Sequence, residues 1–431
     1  MRDTELYRHL LGLVEPWTVD RVDLDLKQQR VDVWASHPEG TQFLCPDCGT
    51  LYGVRDHVDR TWRHLDSCQF QTFLHCRVPR VECRTHKVKQ VRVPWAESGS
   101  QFTTLFERLA IDLLRECAIS GAAGILRISW DEAWGIVERA VGRGQARQAP
   151  ATLRRIGIDE KAFKKGHHYL TLVVNVDEAR VEYIGEDRKQ ASLDGFFQSL
   201  TAEQRAALEA IATDRWEPYL LSIRAHVPDA DQKIVFDRFH IMQHITEAVD
   251  KVRRQEHRAL EREDGESPLT GTKRLWLYAA ENLPERYRPE FARLQALDLK
   301  VGRAWAIKEN LRALWRYRAP GWAQRFFQRW YWWATHSRLQ PVRKVARMLK
   351  RHLANIVTYA RHRLTNAVAE GLNSKIQGVI KTACGFRNLE HFKVAILFHC
   401  GGLDLYPHYS RKRPLKKHSI ASSFKRFQTP K

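Results

Sequence analysis

Between residues 153 and 243 the chain alternates strand-like and helix-like runs, and this alternation limits its possible fold most strongly. Three apolar runs with short connections predict consecutive strands: RRIGIDEKAFK, HHYLTLVVNVD and RVEYIGEDR. The next runs predict a helix in SLDGFFQSLTAEQRAALEAI, a short strand in AIATD, a helix in WEPYLLSIRAHVP and a strand in QKIVFD. The order β-β-β-α-β-α-β predicts a mixed sheet covered by helices.

Acidic residues lie at informative places in this pattern. Asp159 lies in the first strand-like run, Asp214 ends the run AIATD, and Glu370 lies on a later helix, NAVAEGLNSKI. This order of elements is the ribonuclease-H-like topology, in which the first strand, the fourth strand and a C-terminal helix bring acidic side chains to one sheet edge. Carboxylates are hard oxygen ligands that suit Mg²⁺ or Mn²⁺. We therefore expect Asp159, Asp214 and Glu370 to form a catalytic site with two such ions.

The second acid of this site has a rival. Asp237, followed by His240 in FDRFH, ends the fifth predicted strand, whereas Asp214 ends the fourth. The ribonuclease-H-like topology has its second metal ligand at the fourth strand, which favours Asp214 as that ligand. Asp237 and His240 are then expected to support the site. The alternative for Asp214 is an ordinary N-cap of the helix WEPYLL, a position that favours Asp.

Glu370 lies on the polar face of a predicted amphipathic helix. A solvated face shows the same pattern, and by periodicity alone that interpretation is the better one. The apolar stripe comprises Val368, Leu372, Ile376 and Val379, and the polar face comprises Glu370, Asn373, Ser374, Gln377 and Lys381.

The net charge of +21 favours a polyanionic partner, because basic surfaces release counterions from phosphate backbones. An anionic membrane competes with DNA, but no run approaches the about 20 apolar residues of a transmembrane helix. The start, MRDTELYRHL, lacks the apolar core of a signal peptide. We expect a cytoplasmic, nucleoid-associated protein whose eight cysteines are thiols or metal ligands.

Two ligand pairs at matching spacing predict a zinc ribbon in residues 41–95. Cys45 and Cys48 flank a tight knuckle before Gly49, and Cys83 and His86 form the second pair. Thiolates and imidazole at tetrahedral geometry suit one structural Zn²⁺. The alternative is a single knuckle, with the Cys83–His86 spacing due to chance.

Residues 100–148 predict a helix-turn-helix. Leu105, Leu109 and Leu113 share one helical face, a Gly-containing connection follows, and Ser129 with Glu132 matches a capping box. Any helical hairpin shows these features. Next to a zinc ribbon in a basic chain, they favour DNA binding.

Residues 245–360 predict an all-α insertion that is dense in Arg and Trp. Its tryptophans favour an aromatic core, and the alternative is stacking of Trp332 or Trp333 on an unpaired base. Lys161, Lys164 and Lys165 could bind phosphates near the scissile bond or belong to a solvated basic turn. The tail after Tyr406 has eight Lys or Arg and no acid, which indicates a phosphate-binding extension.

Several stretches resemble the DDE-type insertion-sequence transposases of the ISL-three family: CPDCG, VPWAESGSQFT, GIDEKAFKKGHHYLT, HVPDADQKIVFDRFHI and EGLNSKIQGVIKTACGFRN. The family pairs a zinc ribbon and a helix-turn-helix with a ribonuclease-H-like catalytic domain. One departure is His86, where a Cys is also common. The resemblance implies double-stranded DNA partners, the terminal inverted repeats and the target, and a homodimer or higher assembly on DNA.

The expected layout is a multidomain α/β chain. Its function is expected to be transposition, by cleavage at terminal inverted repeats and strand transfer. A non-catalytic DNA-binding regulator and a structure-specific nuclease are the alternatives. The expected domains are an N-terminal segment (1–40), zinc ribbon (41–95), helix-turn-helix (100–148), catalytic domain (153–243 and 361–405), helical insertion (245–360) and basic tail (406–431).

Overall fold

The structure is a computed structural model that describes residues 2–149, 152–164, 168–214 and 216–408. These residues group into two compact units, 2–148 with 403–408 and 149–402. Within the described ranges, no helix combines the length and apolarity needed to cross a membrane.

The first unit begins with a helix and a twisted sheet. Its elements are α1 (Asp3–Leu10), β1 (Thr18–Asp25), β2 (Arg30–Ser36), β3 (Gln42–Leu44), β4 (Leu51–Ser67), β5 (Phe70–Cys83) and β6 (Lys87–Gln90). The strand order is β1-β2-β5-β4-β3, and β6 pairs with β5. Apolar residues alternate along β2, where Val31, Val33 and Ala35 are buried. The region expected to be a zinc ribbon thus shares one sheet with β1 and β2.

Three helices follow in the same unit, namely α2 (Thr104–Glu116), α3 (Ile119–Leu126) and α4 (Trp130–Arg147). The predicted capping box at the start of α4 is present, with Ser129 and Glu132 each bonding the other's backbone amide. The predicted connection ISGAAGILRI is instead mostly helical and forms α3. The Leu stripe of α2 is not its buried face, because Leu109 is 44% exposed while Phe106 and Leu114 are buried.

A mixed sheet forms the centre of the second unit. Its elements are β7 (Arg155–Lys164), β8 (His168–Asn175), β9 (Arg180–Glu186), α5 (Gln190–Ser199), α6 (Ala202–Ala207), β10 (Ala210–Thr213), α7 (Glu217–His226), α8 (Ala230–Lys233) and β11 (Ile234–Phe236). The strand order is β11-β10-β7-β8-β9; β8 is antiparallel to both of its neighbours, and β7, β10 and β11 run parallel. The predicted order of strands is observed, and the first predicted helix is split into α5 and α6.

Helices separate β11 from the end of this unit. They are α9 (Arg238–Asp264), α10 (Lys273–Leu277), α11 (Arg288–Ala296), α12 (Lys300–Leu311), α13 (Pro320–His336), α14 (Gln340–Arg351), α15 (Leu353–Val357), α16 (Tyr359–His362), α17 (Ala367–Thr382) and α18 (Leu389–Cys400), with 3₁₀ turns at Ala280–Asn282, Glu285–Tyr287 and Arg312–Arg316. The predicted aromatic core is observed, since Trp276, Trp315 and Trp330 are buried.

Both faces of the β7–β11 sheet are covered. One face packs Ile156 and Val173 into a core shared with α5, α7 and α9. The other face packs Leu172 against α17 and α18 through Ile376 and Phe392. This two-sided burial explains why β8 is a nearly continuous apolar run, and it seats α17 beside the strand that carries Asp159.

Candidate active site and zinc site

Three aspartates line up at one edge of the β7–β11 sheet. β10 lies beside β7 with Ala212 opposite Gly157, and beside β11 with Thr213 opposite Phe236. Continuing these registers puts Asp214 level with Asp159 on one side and with Asp237 on the other. Neighbouring strands are about 4.8 Å apart, so the fold concentrates negative charge at this edge.

Asp159 is half-buried and its orientation is held by two hydrogen bonds. The Asn373 side-chain amide donates to Asp159 Oδ2 at 2.7 Å, and the Glu160 backbone amide donates to Oδ1 at 2.8 Å. Burial raises the pKa of Asp159 to about 6, with the nearby charges of His240 and Asp214 acting in opposite directions. A cation at this edge would favour the ionised carboxylate.

Asp214 and Asp237 have different surroundings. Asp237 is buried, its Oδ1 accepts from the Asn366 backbone amide at 3.4 Å, and its Oδ2 lies 3.3 Å from His240 Nδ1. Burial would raise the pKa of Asp237, but His240 and the Asn366 amide outweigh it and lower that pKa. Asp214 is less buried, and its Oδ1 accepts a hydrogen bond from the Trp216 backbone amide at 3.0 Å. Asp237 is therefore engaged by protein groups, whereas Asp214 is more accessible.

Glu370 is exposed on the first turn of α17, and its helix face is set by the residues around it. Asn366 and Asn373 lie four residues before and three residues after Glu370, so all three share one face. The Asn373 side chain bonds Asp159, the Asn366 backbone amide donates to Asp237, and Asn366 Oδ1 would lie 2.9 Å from a Cβ atom at Gly157 of β7. Glu370 thus lies on the α17 face that meets the aspartates.

The acidic side chains do not form a closed cluster by themselves. Within the described residues, no set that includes Asp159, Asp214 and Glu370 has its ligand atoms all within 4.8 Å of one another. Three buried oxygens around this edge have no hydrogen-bond partner in the described chain: Thr213 Oγ1, Asn366 Oδ1 and Asn373 Oδ1. A hard divalent cation takes this type of donor, and the residues fit Mg²⁺ or Mn²⁺ in that respect.

Of the three lysines that follow Asp159, the structure describes the side chain of Lys161. Lys161 is a half-buried β7 residue whose Nζ donates to the Asn373 carbonyl and to Gln377 Oε1, both at 3.1 Å. Burial lowers the pKa of Lys161. Lys161 thereby ties β7 to α17 and is not part of a solvated turn. The side chain of Lys164 and the whole of Lys165 lie outside the described residues.

The two predicted tryptophans also differ. Trp332 is 64% exposed and stacks on His336 with ring centroids 4.5 Å apart. Trp333 is half-buried and packs against the helical core. Of the two, Trp332 is the more exposed, with one side of its ring covered by His336.

The four predicted zinc ligands converge. The ligand atoms of Cys45, Cys48, Cys83 and His86 all lie within 4.8 Å of one another. The sulfurs of Cys48 and Cys83 are 3.7 Å apart, and Cys83 Sγ is 3.5 Å from His86 Nδ1. A tetrahedron with Zn–S bonds of about 2.3 Å has edges of about 3.8 Å, so the spacing fits zinc.

The electrostatic setting of Cys83 also suits a metal ligand. The Tyr52 hydroxyl lies 3.5 Å from its sulfur. This hydroxyl and the backbone amides of His86 and Thr85 lower the pKa of Cys83 to about 5. The thiolate is the form that binds metal, and the Cys₃His set supports a Zn²⁺ site.

Comparison with known proteins identifies the family. Residues 156–396, more than half of the chain, match the DDE-domain model of ISL3 elements, described as a transposase. The chain belongs to the ISL3 family of transposases. The predicted resemblance is confirmed. The match implies a DNA-processing protein, and its span includes the three candidate catalytic acids.

The two other regions of this ISL3 transposase match separate domain models. Residues 91–141 match the helix-turn-helix domain of transposase family ISL3, and residues 41–86 match the zinc finger of transposases IS204, IS1001, IS1096 and IS1165. The helix-turn-helix implies DNA binding, and the zinc-finger match agrees with the Cys₃His geometry.

Full-length relatives are also found. The transposase for insertion sequence element IS1557 of Mycobacterium tuberculosis (strain ATCC 25618 / H37Rv) is 29% identical over 418 residues, 90% of this chain and 93% of the relative. The transposase for insertion sequence element IS1001 of Bordetella parapertussis is 26% identical over 401 residues, 92% of this chain and 98% of the relative.

Sequence reasoning missed the asparagines around Glu370. Asn366 and Asn373 contact Asp237 and Asp159, while the sequence pattern showed Asn373 only as part of a polar face. Their spacing around Glu370 was the available signal. It could not be used without knowing which element faces α17.

Proposed function

We propose that this ISL3-family chain binds the terminal inverted repeats of its own element, cleaves DNA there and joins the ends to target DNA. The main support is the arrangement at the sheet edge. Asp159 and Asp214 lie level on neighbouring parallel strands, and Asn373 ties the helix that carries Glu370 to Asp159. Such an arrangement suits a metal-dependent phosphoryl transfer on a polyanion.

The proposal includes a ribonuclease-H-like catalytic domain. The sheet order β11-β10-β7-β8-β9, with β8 as the antiparallel strand, supports it. So does the later helix α17, which packs on the sheet beside β7 and β8. The helices α9–α16 are then an insertion between the fifth strand and the helix with the third acid.

Each residue at the edge has a proposed role. Asp159, Asp214 and Glu370 would hold two Mg²⁺ or Mn²⁺ ions, which would supply activation of a water or 3′-hydroxyl and stabilisation of the leaving oxygen. Asn373 holds the Asp159 carboxylate in one orientation, and Lys161 fastens β7 to α17. Buried Asp237 and half-buried His240 would form a supporting pair. The lower burial of Asp214 favours it over Asp237 as the second ligand.

DNA contacts are proposed on both units. The helix-turn-helix would read the inverted repeats, with the zinc site holding its neighbouring sheet. On the catalytic unit, exposed Trp332 could stack on an unpaired base, while the packing of Trp333 disfavours it for that role. Two ends must be held together, so we infer a homodimer or higher assembly on DNA.

The proposal is tested by DNA cleavage with full-length protein, Mg²⁺ and DNA carrying the element's ends. Asp159→Asn is expected to bind the ends normally and to lose at least about a thousandfold in cleavage rate. Asp298→Asn, a change at an exposed loop acid, is the matched control and should retain the activity. Equal cleavage by the wild type and Asp159→Asn would overturn the proposal. Absence of cleavage in every protein would favour the regulator, and cleavage without joining would favour the nuclease.

A second experiment decides between Asp214 and Asp237. Asp214→Cys is expected to be inactive with Mg²⁺ and partly restored by Mn²⁺, because a thiolate accepts the softer ion better. Asp237→Cys should lower the thermal stability, because it removes the buried partner of His240. Mn²⁺ should not restore cleavage in this variant. If Mn²⁺ restored cleavage in Asp237→Cys and not in Asp214→Cys, Asp237 would be the second metal ligand.

A further inference from the structure

The chain between Glu309 and Glu370 contains thirteen Lys or Arg residues and no Asp or Glu. Apart from this segment and the tail after Tyr406, the protein mixes both signs, with 50 acids in all. Among the ion pairs of the described residues, only Arg312 of these thirteen has an acidic partner. This segment, which includes α13 and α14, thus carries a concentrated positive charge that the rest of the described chain leaves largely uncompensated.

One face of α13 interleaves aromatic and cationic side chains. Five of the exposed positions follow the helical spacing i, i+3, i+7, i+10 and i+14, and they are Trp322, Arg325, Arg329, Trp332 and His336. Trp322 and Trp332 are 57% and 64% exposed, and the opposite face of α13 packs into the core through Phe327 and Trp330. The exposed tryptophans are therefore not needed to bury that helix.

The rings of this face are already ordered. The Arg325 guanidinium lies over the Trp322 ring at 4.9 Å, and Trp332 stacks on His336. Trp322 and Trp332 are ten residues apart, about 15 Å along the helix. That distance is about the length of four nucleotides of one strand.

The neighbouring helix α14 adds a row of exposed cations. Lys344, Arg347, Lys350 and Arg351 surround an open cavity of about 860 Å³ together with Tyr331 of α13. Lys350 Nζ lies 4.7 Å from the centre of the Tyr331 ring. The cavity thus joins the cationic row of α14 to α13.

We propose that this α13–α14 surface binds a DNA strand whose bases are unpaired. The cations of α14 contact the phosphates, and Trp322 and Trp332 stack on bases. A duplex hides its base faces and would use only the cations, whereas an unpaired strand uses both the charge and the rings. The inference rests on the proposed function, because DNA processing supplies such strands, and it assigns that function a binding surface separate from the sheet edge.

Fluorescence anisotropy of full-length protein tests the proposal with a labelled single strand and a blunt duplex over a range of salt. Changing Lys344, Arg347 and Arg351 to Gln should weaken single-strand binding at least tenfold near 0.15 M salt. It should also reduce the slope of log affinity against log salt by about 2, since each phosphate contact contributes about 0.7. Changing Trp322 and Trp332 to Ala should weaken single-strand binding about tenfold or more and leave duplex binding within twofold.

The matched control removes the same charge elsewhere in the unit, by changing the exposed Arg258, Arg262 and Arg293 to Gln. These residues lie on α9 and α11, whose sequences mix acids with bases, and the control should change single-strand affinity less than twofold. Equal losses in control and α14 variants would overturn the proposal. An unchanged single-strand affinity in the Trp variant would also overturn it. So would a result in which the α14 and Trp changes abolish binding to anionic phospholipid vesicles but leave DNA binding intact.

Asp159→Asn separates this inference from the proposed function. It should bind the single strand like the wild type while failing to cleave. If the α13–α14 variants bind the single strand normally but Asp159→Asn still abolishes cleavage, the proposed binding surface is wrong and the catalytic proposal stands. If they lose single-strand binding and no protein cleaves, the catalytic proposal fails and the surface stands.

Discussion

At the scale of single residues, Asn373 connects the helix of Glu370 to the strand of Asp159. Its amide donates to Asp159 Oδ2, and its own Oδ1 is buried without a hydrogen-bond partner in the described residues. The close seating of α17 is visible at Gly157, where a Cβ atom would lie 2.9 Å from Asn366 Oδ1. Groups that orient a metal-binding carboxylate influence both metal affinity and activity.

Asn373→Ala is accordingly expected to reduce cleavage at low Mg²⁺ by about 10- to 100-fold and to raise the Mg²⁺ concentration needed for half-maximal activity. A Mg²⁺ titration of cleavage measures both effects. Ser374→Ala is the control, because the Ser374 hydroxyl only bonds the Glu370 carbonyl within α17. An unchanged Mg²⁺ dependence for Asn373→Ala would show that this amide does not position Asp159.

His64 gives a second prediction, on stability against pH. Burial, helped by the charge of Arg63, lowers its pKa from 6.5 to about 4, and its Nδ1 lies 2.8 Å from Thr103 Oγ1. Because the pKa of His64 is lower in the folded than in the unfolded protein, burial of the neutral imidazole is compatible with full stability above pH 6.5. The folded protein loses free energy of unfolding as the pH falls from 6.5 towards 4. The loss is about 2 kcal/mol at pH 5.

Urea unfolding at pH 7 and pH 5 measures this effect, with His64→Gln as the comparison. Between pH 7 and pH 5, the free energy of unfolding of the variant should fall by about 2 kcal/mol less than that of the wild type. Parallel pH profiles for the two proteins would mean that another group controls the acid sensitivity.

At the scale of elements, the Cys₃His cluster brings the residues after β3 together with the turn between β5 and β6. Cys45 and Cys48 follow the three-residue strand β3, and Cys83 and His86 lie around the turn between β5 and β6. Both pairs were predicted from spacing alone, and the structure brings them together. Short edge strands contribute little stability by themselves, so the metal is expected to hold this end of the sheet.

Removal of zinc is therefore expected to destabilise the first unit. Chelation or Cys48→Ser should lower the melting temperature by at least about 5 °C, as expected for roughly 2 kcal/mol in a unit of this size, and should weaken binding to the element's ends. Metal analysis should find one zinc per chain in the wild type. End binding that survives complete zinc removal would contradict this role, with Cys117→Ser as a thiol control away from the knuckle.

Local sequence signals predicted element starts better than element ends or buried faces. The capping box at Ser129 and Glu132 was readable because both partners lie within four residues. A second box, Thr201 with Gln204, starts α6 and splits the predicted helix of residues 192–211. The buried face of α2 could not be read from its leucines, because the surrounding sheet and helices decide which side is covered.

At the scale of the whole molecule, residues 403–408 pack against the helices of the first unit. Leu405 is 3% exposed, its carbonyl accepts from Arg143, and the Tyr406 hydroxyl bonds Asp112. At Gly144 of α4, a Cβ atom would lie 2.6 Å from that of Leu403. The helix-turn-helix is thus completed by a segment more than 250 residues away in the chain.

Truncation separates this segment from the basic tail. Deletion of 403–431 is expected to destabilise the first unit by about 3 kcal/mol, through lost burial of Leu405 and lost hydrogen bonds. Deletion of 409–431 is the control and should leave its stability unchanged while weakening salt-dependent DNA binding. Thermal unfolding and anisotropy measure the two effects, and equal stability of both truncations would exclude a structural role for 403–408.

The sequence by itself predicted which Cys and His residues converge in the first unit and the order of strands along the chain in the second, because both depend on short spacings or on local apolar periodicity. The family was indicated by longer motifs spread over the chain. Asp159 was also accessible in this way, as a residue of the first strand. Only the tertiary structure decided which groups surround that carboxylate, since Asn373 is 214 residues away. It likewise decided that Trp330 is buried while Trp332 is exposed, because two tryptophans on one helix differ only in what packs against each face.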